Sequence, residues 1–479
     1  MVFSSSIFLL WFLPVFLAVY FLVGKRLKNA VALVASLLFY GFGSPKFLLV
    51  LLLSITIDFF LVRQIDKSAD AKRRKLFLVF SIILNIGLLA YFKYANFFVD
   101  NFNALLSAFG ASPVRWTKVV LPIGISFFTF QKMSYSVDVY RKTSAPLKSI
   151  ADYALFIMLF PQLIAGPIVR YNEIADQITD RSANETSDNR ILGFYRFVIG
   201  LSKKMLIANI LAEYVDQVFA LPTNQIGLST AWLGILAYTF QIYFDFSGYS
   251  DMAIGIGRMI GFRFPENFNN PYISRNVTEF WKRWHMTLGS WMMDYLYIPL
   301  GGNRKGKRRT YLNLWIVFFL SGLWHGAAWT FVAWGAYHGL FICLDKLLKV
   351  KGKKEHLSPL TSYLSILLTF VIVMIGWVLF RADTIDYALR YIGAMFGSNG
   401  SSAALFVNSQ FVVTLIVAAF FSFFGMTKAG DKALDFFFNR KTYNTKQYIW
   451  VGLLMIILLV LSASFILKGS FNPFIYFRF

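Results

Sequence analysis

The sequence predicts an all-helical integral membrane protein, on the evidence of its composition, its long apolar segments and the positive charge beside them. Of its 479 residues, 57% are hydrophobic and only 15% are charged, and the mean hydropathy is +0.58. Soluble domains are about 45–50% apolar and about 25% charged. The single cysteine, Cys343, excludes an intrachain disulfide framework and a multi-cysteine metal site. We interpret residues 1–479 as one polytopic membrane domain and expect no metal.

Apolar segments long enough to cross a membrane recur along the chain. The first, within residues 1–26, has an apolar run of about 20 residues and lacks the basic leader and small-residue cleavage site of a signal peptide. It is therefore expected to be an uncleaved span. Further spans are expected near residues 29–42, 47–62, 76–97, 121–139, 191–219, 230–246, 312–343 (as a two-legged hairpin), 360–380, 411–426 and 448–467.

The net charge of +23 is gathered beside these apolar segments. Short cytoplasmic loops collect Lys and Arg, so the basic clusters at 63–75, 304–309, 346–354 and 428–446 are placed in the cytoplasm. The resulting alternation puts the N-terminus outside. A surface of this charge could also bind nucleic acid. However, the basic clusters lie at the ends of the predicted spans and do not form one face of a soluble domain, so we expect contacts with membrane lipids and none with nucleic acid.

Three stretches depart from simple spans. Residues 160–171, FPQLIAGPIVRY, contain two prolines and a glycine where a helix needs regular hydrogen bonds, which predicts a broken or re-entrant segment. Residues 241–251, QIYFDFSGYSD, place two carboxylates beside an apolar helix. Residues 280–302 have tryptophans at helical spacing and are too polar to span, which predicts an amphipathic helix at the cytoplasmic interface or dipping into the core from it.

Three of the four histidines, His285, His325 and His338, fall within one short part of the chain. We interpret His338 as a packed core residue and His356, in a basic loop, as solvated. His325 lies fourteen residues beyond Tyr311, which at 1.5 Å per helical residue places it roughly 20 Å from the basic surface cluster. An imidazole at that depth is suited to removing a proton from a hydroxyl group.

Positive charge at both ends of residues 309–346 predicts a hairpin of two short legs that turns near residues 326–329. Glycine and alanine are frequent around this turn. They allow the two legs to pack closely, or they keep His325 accessible to a substrate, and the sequence leaves both interpretations open.

Residues 281–340, which run from WKRWH through GLWHG to WGAYHGL, resemble the signature region of the membrane-bound O-acyltransferases, in particular the bacterial subfamily that O-acetylates alginate. Residues 2–21, 160–171 and 241–257 and the ending NPFIYFRF are similar to the same subfamily, so the resemblance covers nearly the whole chain. It implies a bundle of about eleven spans, with re-entrant pieces around a central funnel. It also implies that His325 of the WHG motif is catalytic, either as a general base or by helping to form a transient acyl intermediate. His285 of the RWH motif is then a second functional histidine.

The resemblance further implies an enzyme of the bacterial plasma membrane. It would take an acetyl group from a cytoplasmic thioester, either acetyl-coenzyme A or an acyl carrier, and pass it across the membrane for O-acetylation of an exported polysaccharide such as alginate, with no bound cofactor. The basic residues Lys282, Arg283, Arg304 and Lys305, with His285, would place the phosphates of the donor. The positive-inside pattern alone also accounts for these basic residues.

The sequence also predicts a partner protein and leaves two alternative functions open. Because the chain has no large extracellular domain, a separate extracytoplasmic acetyltransferase is expected to modify the polysaccharide. One alternative is the transfer of D-alanine from a carrier protein to teichoic acid. The other is a transporter of polysaccharide or lipid without acyl chemistry, which broken helices and intramembrane polar residues would also suit.

Overall fold

The computed structural model describes residues 1–348, 358–399, 405, 407–469 and 475. All regular secondary structure in these residues is helical, as predicted. The chain forms two compact units: unit 1 comprises residues 1–186 and 260–265, and unit 2 comprises residues 187–259 and 266–479. His356, residues 349–354 of the predicted basic loop, and all of the ending NPFIYFRF except Ile475 lie outside the described residues.

Unit 1 is built from the helices of the N-terminal part of the chain. Its described α-helices are α1 (Leu13–Leu22), α2 (Lys28–Gly43), α3 (Pro45–Lys67), α4 (Ala71–Leu89), α5 (Ala95–Ala108), α6 (Ile125–Arg141), α7 (Ile150–Met158), α8 (Phe160–Leu163) and α9 (Tyr171–Thr179). Short π-helical segments at Phe8–Phe12 and Ala90–Tyr94 and 3₁₀ turns at Lys25–Leu27 and Ser182–Asn184 join them.

The predicted break at residues 160–171 is confirmed in unit 1. Helix α7 ends at Met158, α8 lasts only four residues, and the chain from Ile164 to Arg170 is irregular although most of it is buried. Gly124, at φ +78°, lies against this segment, and a Cβ there would come within 2.6 Å of the Leu163 carbonyl oxygen. Only glycine accommodates this close approach without a backbone shift.

A buried carboxylate connects three helices of unit 1. Asp58 of α3 is fully buried and accepts hydrogen bonds from Ser81 Oγ at 2.5 Å and Asn85 Nδ2 at 3.1 Å, both on α4. The Tyr153 hydroxyl of α7 donates to its second oxygen. Because a buried charge without partners is strongly unfavourable, these donors fix the relative register of α3, α4 and α7.

Unit 2 holds the remaining helices. They are α10 (Ser187–Ser202), α11 (Asn209–Ala220), α12 (Leu228–Met259), α13 (Val277–Trp281), α14 (Met286–Met292), α15 (Gly306–His325), α16 (Trp329–Leu347), α17 (Pro359–Arg381), α18 (Ile385–Met395), α19 (Ser409–Phe423), α20 (Lys428–Leu434) and α21 (Thr445–Lys468). Shorter π segments are Lys203–Ala208, Met293–Tyr297 and Asp435–Asn439, and 3₁₀ turns are Thr223–Gln225, Pro271–Ile273 and Phe424–Met426.

The 32-residue helix α12 forms the centre of unit 2 and carries the two carboxylates noted in the sequence. Asp245 pairs with Lys204 at 2.7 Å, and Asp251 pairs with Arg196 at 2.8 Å and Lys203 at 2.6 Å. Both carboxylates are buried. These ion pairs attach α12 to α10 and to the π segment that follows it.

Five helical segments of the described chain are long and apolar enough to cross a membrane, judged by length and composition. Each coincides with a span predicted from the sequence, whereas the larger number of spans stays a prediction. The five are Pro45–Lys67, Ala71–Ala108, Pro359–Arg381, Ser409–Met426 and Thr445–Lys468.

The prediction of one continuous amphipathic helix across residues 280–302 is wrong. The chain forms α13, breaks, and resumes as α14, because His285 adopts a left-handed conformation with φ +45°. Backbone bonds from Met286 N to the Asn267 carbonyl and from Asn269 N to the Arg283 carbonyl, both 2.9 Å, hold the break against the loop after α12. The tryptophan-rich face is directed into the core, with Trp284 only 3% exposed.

Helices α10 and α12 pack at glycine contacts. A Cβ on Gly255 would lie 2.6 Å from the Gly193 carbonyl oxygen and 2.6 Å from the Phe197 nitrogen, which are both backbone atoms that cannot move independently. Small residues therefore set the distance between these two helices.

We predict that Gly255→Ala destabilises the folded protein, because the added methyl group forces α10 and α12 apart, at a cost of about 1–3 kcal/mol. Thermal unfolding of the detergent-solubilised protein measures this. Gly87→Ala in α4 is the matched control, because a Cβ there meets no atom within 4 Å and alanine favours a helix. Equal unfolding temperatures for the two variants would contradict the close-packing account.

Candidate active site

The predicted hairpin is present, and its turn positions His325. Helix α15 ends at His325, and α16 begins at Trp329. A Cβ on Gly322 would lie 2.3 Å from the Phe331 carbonyl oxygen, and one on Gly326 would lie 2.1 Å from the Phe331 ring. These two glycines are thus required for the two legs to pack closely.

The His325 ring lies among aromatic side chains. It is 5% exposed, and its centroid is 5.0 Å from Trp324, 5.1 Å from Trp334 and 5.2 Å from Phe380, each in an edge-to-face arrangement. These edge-to-face contacts fix the orientation of the imidazole and keep it away from bulk water.

His285 lies beside His325. Their ring centroids are 6.4 Å apart, and the ring planes are inclined at 60°. His285 is 1% exposed, packs edge-to-face on Phe246 at 4.7 Å, and has its Nδ1 3.0 Å from Asn267 Oδ1. Two histidines from different sequence motifs are therefore neighbours in the core of unit 2.

A small cavity reaches His325. Only about 10 Å³ of it is open to the centre of a water-sized group, which is about the room that one such group needs. The peptide N–H of Ile475 donates to Asp245 Oδ2 at 2.9 Å, so the ion-paired carboxylate of α12 holds Ile475 at the cavity wall. The lining residues are Ile242, Phe246, Trp284, His325, Trp334, Trp377, Phe380 and Ile475.

The four basic residues predicted to bind the donor have different environments. Arg283 pairs with Glu279 at 2.9 Å and donates to the Asn269 carbonyl oxygen at 3.1 Å, so its guanidinium has a structural role. Lys282, Arg304 and Lys305 are exposed.

The turn that carries Arg304 and Lys305 lies at the same end of the hairpin as Lys346, the first residue of the predicted basic loop. Lys346 Nζ, at the end of α16, donates to Asn303 Oδ1 in this turn at 3.0 Å. Positive charge from two parts of the sequence, the turn at Arg304 and Lys305 and the end of α16 at Lys346, thus lies at this end of the hairpin.

His338 is a packed core residue, as predicted. It is fully buried, and its ring lies 5.1 Å from Trp281 and 5.1 Å from Trp334. In the part of the chain that the structure describes, no group of three or more His, Cys, Asp or Glu side chains is arranged to hold a metal ion.

Comparison with known protein families agrees with this arrangement. The model of the membrane-bound O-acyltransferase family matches residues 111–357, a range that includes both neighbouring histidines. The chain belongs to the membrane-bound O-acyltransferase family. It is therefore an O-acyltransferase and a multi-pass membrane protein, and the transporter alternative is set aside.

Individual members of the family differ in what they modify. A probable alginate O-acetylase of Pseudomonas putida is 42% identical over 100% of both chains. A peptidoglycan O-acetyltransferase of Helicobacter pylori is 35% identical over 100% of this chain and 98% of its own. A teichoic acid D-alanyltransferase of Bacillus subtilis is 30% identical, over 54% of this chain and 68% of its own.

Asn267 is a polar contact of the site that the sequence hypothesis did not include. It lies in the loop after α12, eighteen positions before His285, yet its side chain contacts that ring. The only signal in the sequence is the asparagine-rich run NFNN that follows the long helix. The two histidine motifs do not include Asn267, because its contact with His285 depends on how the loop folds back.

Proposed function

We propose that this O-acyltransferase takes an acetyl group from a cytoplasmic thioester and passes it across the membrane for O-acetylation of an exported polysaccharide. The observation that supports this most is the pair of buried histidine rings, with centroids 6.4 Å apart. The whole chain, residues 1–479, would act as one catalytic domain. Similarity to O-acetylating relatives along its full length supports that extent.

In the proposed reaction His325 is the general base. Its imidazole removes the proton from an acceptor hydroxyl, and the oxygen attacks the thioester carbonyl. The carbon–sulfur bond then breaks, and the thiolate leaves with the proton that the imidazole returns. A positioned base of this kind contributes on the order of 10² to 10⁴ in rate, and the reaction needs no metal ion.

The donor is proposed to be acetyl-coenzyme A or an acetylated phosphopantetheine carrier. Its phosphates would be attracted to the exposed Lys282, Arg304 and Lys305, and His285 would help to place the thioester. Arg283 is a weaker candidate because Glu279 already neutralises it.

Full-length similarity to O-acetylating relatives favours acetyl over D-alanyl transfer, since the D-alanyltransferase relative aligns with only 54% of the chain. Alginate is proposed as one acceptor. We also propose that a separate extracytoplasmic acetyltransferase completes the reaction on the polymer. Acetylation of the intact polymer by the purified chain alone would remove the need for such a partner.

We predict that His325→Ala reduces acetylation at least about 100-fold while expression and membrane insertion stay near normal, since the change removes a base but leaves the bundle packed. O-acetyl content of the exported polysaccharide and of peptidoglycan is measured separately in cells that lack the gene and carry each variant. This comparison also identifies the acceptor.

The same replacement at His356, which the sequence assigns to a basic loop, is the matched control. It should retain full acetylation. If a folded His325→Ala protein kept more than about a tenth of wild-type acetylation, the catalytic role would be rejected.

The enzyme is proposed to lie in the bacterial plasma membrane with its N-terminus outside the cytoplasm. In a Cys343→Ala background without other cysteines, we predict that Ser112→Cys reacts with an impermeant thiol reagent added to intact cells. Ser68→Cys, beside the basic cluster, should react only after the membrane is opened. The opposite pattern of labelling would invert the topology.

A further inference from the structure

We infer that Asn267 is a positioning residue that fixes the tautomer of His285, so that Nδ1 carries the proton and Nε2 is the basic nitrogen. The inference rests on the proposed role of His285 in acyl transfer. Neither histidine motif predicts such a residue, since Asn267 lies outside both and reaches the site only because its loop folds against the break between α13 and α14.

The orientation of the Asn267 amide follows from its neighbours. Its Oδ1 lies 2.8 Å from Thr287 Oγ1 and 3.4 Å from the Thr287 peptide nitrogen, and its Nδ2 donates to Ser250 Oγ at 3.1 Å. Hydroxyl groups both donate and accept, but a peptide N–H only donates. The Thr287 N–H therefore requires the oxygen of the amide, and not its nitrogen, on this side.

The same oxygen faces His285 Nδ1 at 3.0 Å. A carbonyl oxygen only accepts, so Nδ1 must be the protonated nitrogen in this contact. In a neutral imidazole Nε2 then keeps its lone pair. His285 Nε2 is buried and has no hydrogen-bond partner among the described residues, which leaves it available to a hydroxyl or thiol of a bound substrate.

The backbone supports the same geometry. Met286 N donates to the Asn267 carbonyl at 2.9 Å, so Asn267 contacts both the main chain and the side chain at the break. His285 has φ +45°, a conformation that non-glycine residues rarely adopt without surrounding support. Asn267 thus fixes where the ring is and which of its nitrogens is basic.

Nitrogen NMR of the whole protein, labelled with ¹⁵N-histidine in lipid, tests the tautomer directly. His285→Gln assigns the His285 signals by their loss. The wild-type protein should show a protonated Nδ1 and an unprotonated Nε2 for His285. The reverse pattern, or an even mixture of the two tautomers, would overturn the inference regardless of any variant.

Variants of Asn267 test whether the tautomer of His285 affects the rate of acyl transfer. Asn267→Leu keeps the size of the side chain but removes the acceptor, so His285 should show mixed tautomers and kcat should fall on the order of 10- to 100-fold, with KM for acetyl-coenzyme A little changed. Asn267→Asp retains an acceptor for the Nδ1 proton and should restore the Nδ1-protonated signal and much of kcat. Asn313→Leu, which removes another fully buried asparagine of unit 2, is the control and should leave the His285 signals unchanged.

The outcomes separate this inference from the proposed function. Normal activity in His285→Gln would reject the role of His285 itself. An inactive His285→Gln together with wild-type tautomer and kcat in Asn267→Leu would reject only the positioning role. A fall in kcat that Asn267→Asp does not relieve, with unchanged NMR signals, would also contradict it.

Discussion

The close packing of α15 on α16 is the constraint on which the site depends. Without the glycine contacts at Gly322 and Gly326, the legs of the hairpin could not approach, and His325 could not end α15 among the rings of Trp334 and Phe380. The aromatic rings around the imidazole leave it almost fully buried. A base in such an environment meets little competition from solvent for the proton of its substrate.

The other histidine, His285, is held by a different set of contacts. His285 occupies a break between two short helices, and the loop after α12 closes against that break through backbone bonds and the side chain of Asn267. The same long helix carries Asp245, which is paired with Lys204 and holds Ile475 at the cavity wall. Buried charge on α12 thus contributes to shaping the cavity at His325.

Hydrophobic periodicity and charge predicted much of this architecture, because span length and loop charge are local properties of the sequence. The hairpin turn follows from loop charge, and the break at residues 160–171 follows from its prolines and glycine. The prediction of a helix across residues 280–302 was wrong because backbone hydrogen bonds to Asn267 and Asn269, which lie outside this stretch, override the local helical spacing of the tryptophans. Asn267 was missed for the same reason.

In the proposed acyl transfer, His325 removes the proton while His285 places the thioester, so both histidines would serve the same chemical step. A double-mutant cycle on the acetyl-transfer rate tests it most directly, using His285→Ala, His325→Ala and the double variant, each with its unfolding temperature recorded. Residues that serve one step are not additive, so the double variant should be no slower than the slower single variant within about threefold. Losses that multiply would show that the histidines act independently and would contradict the account.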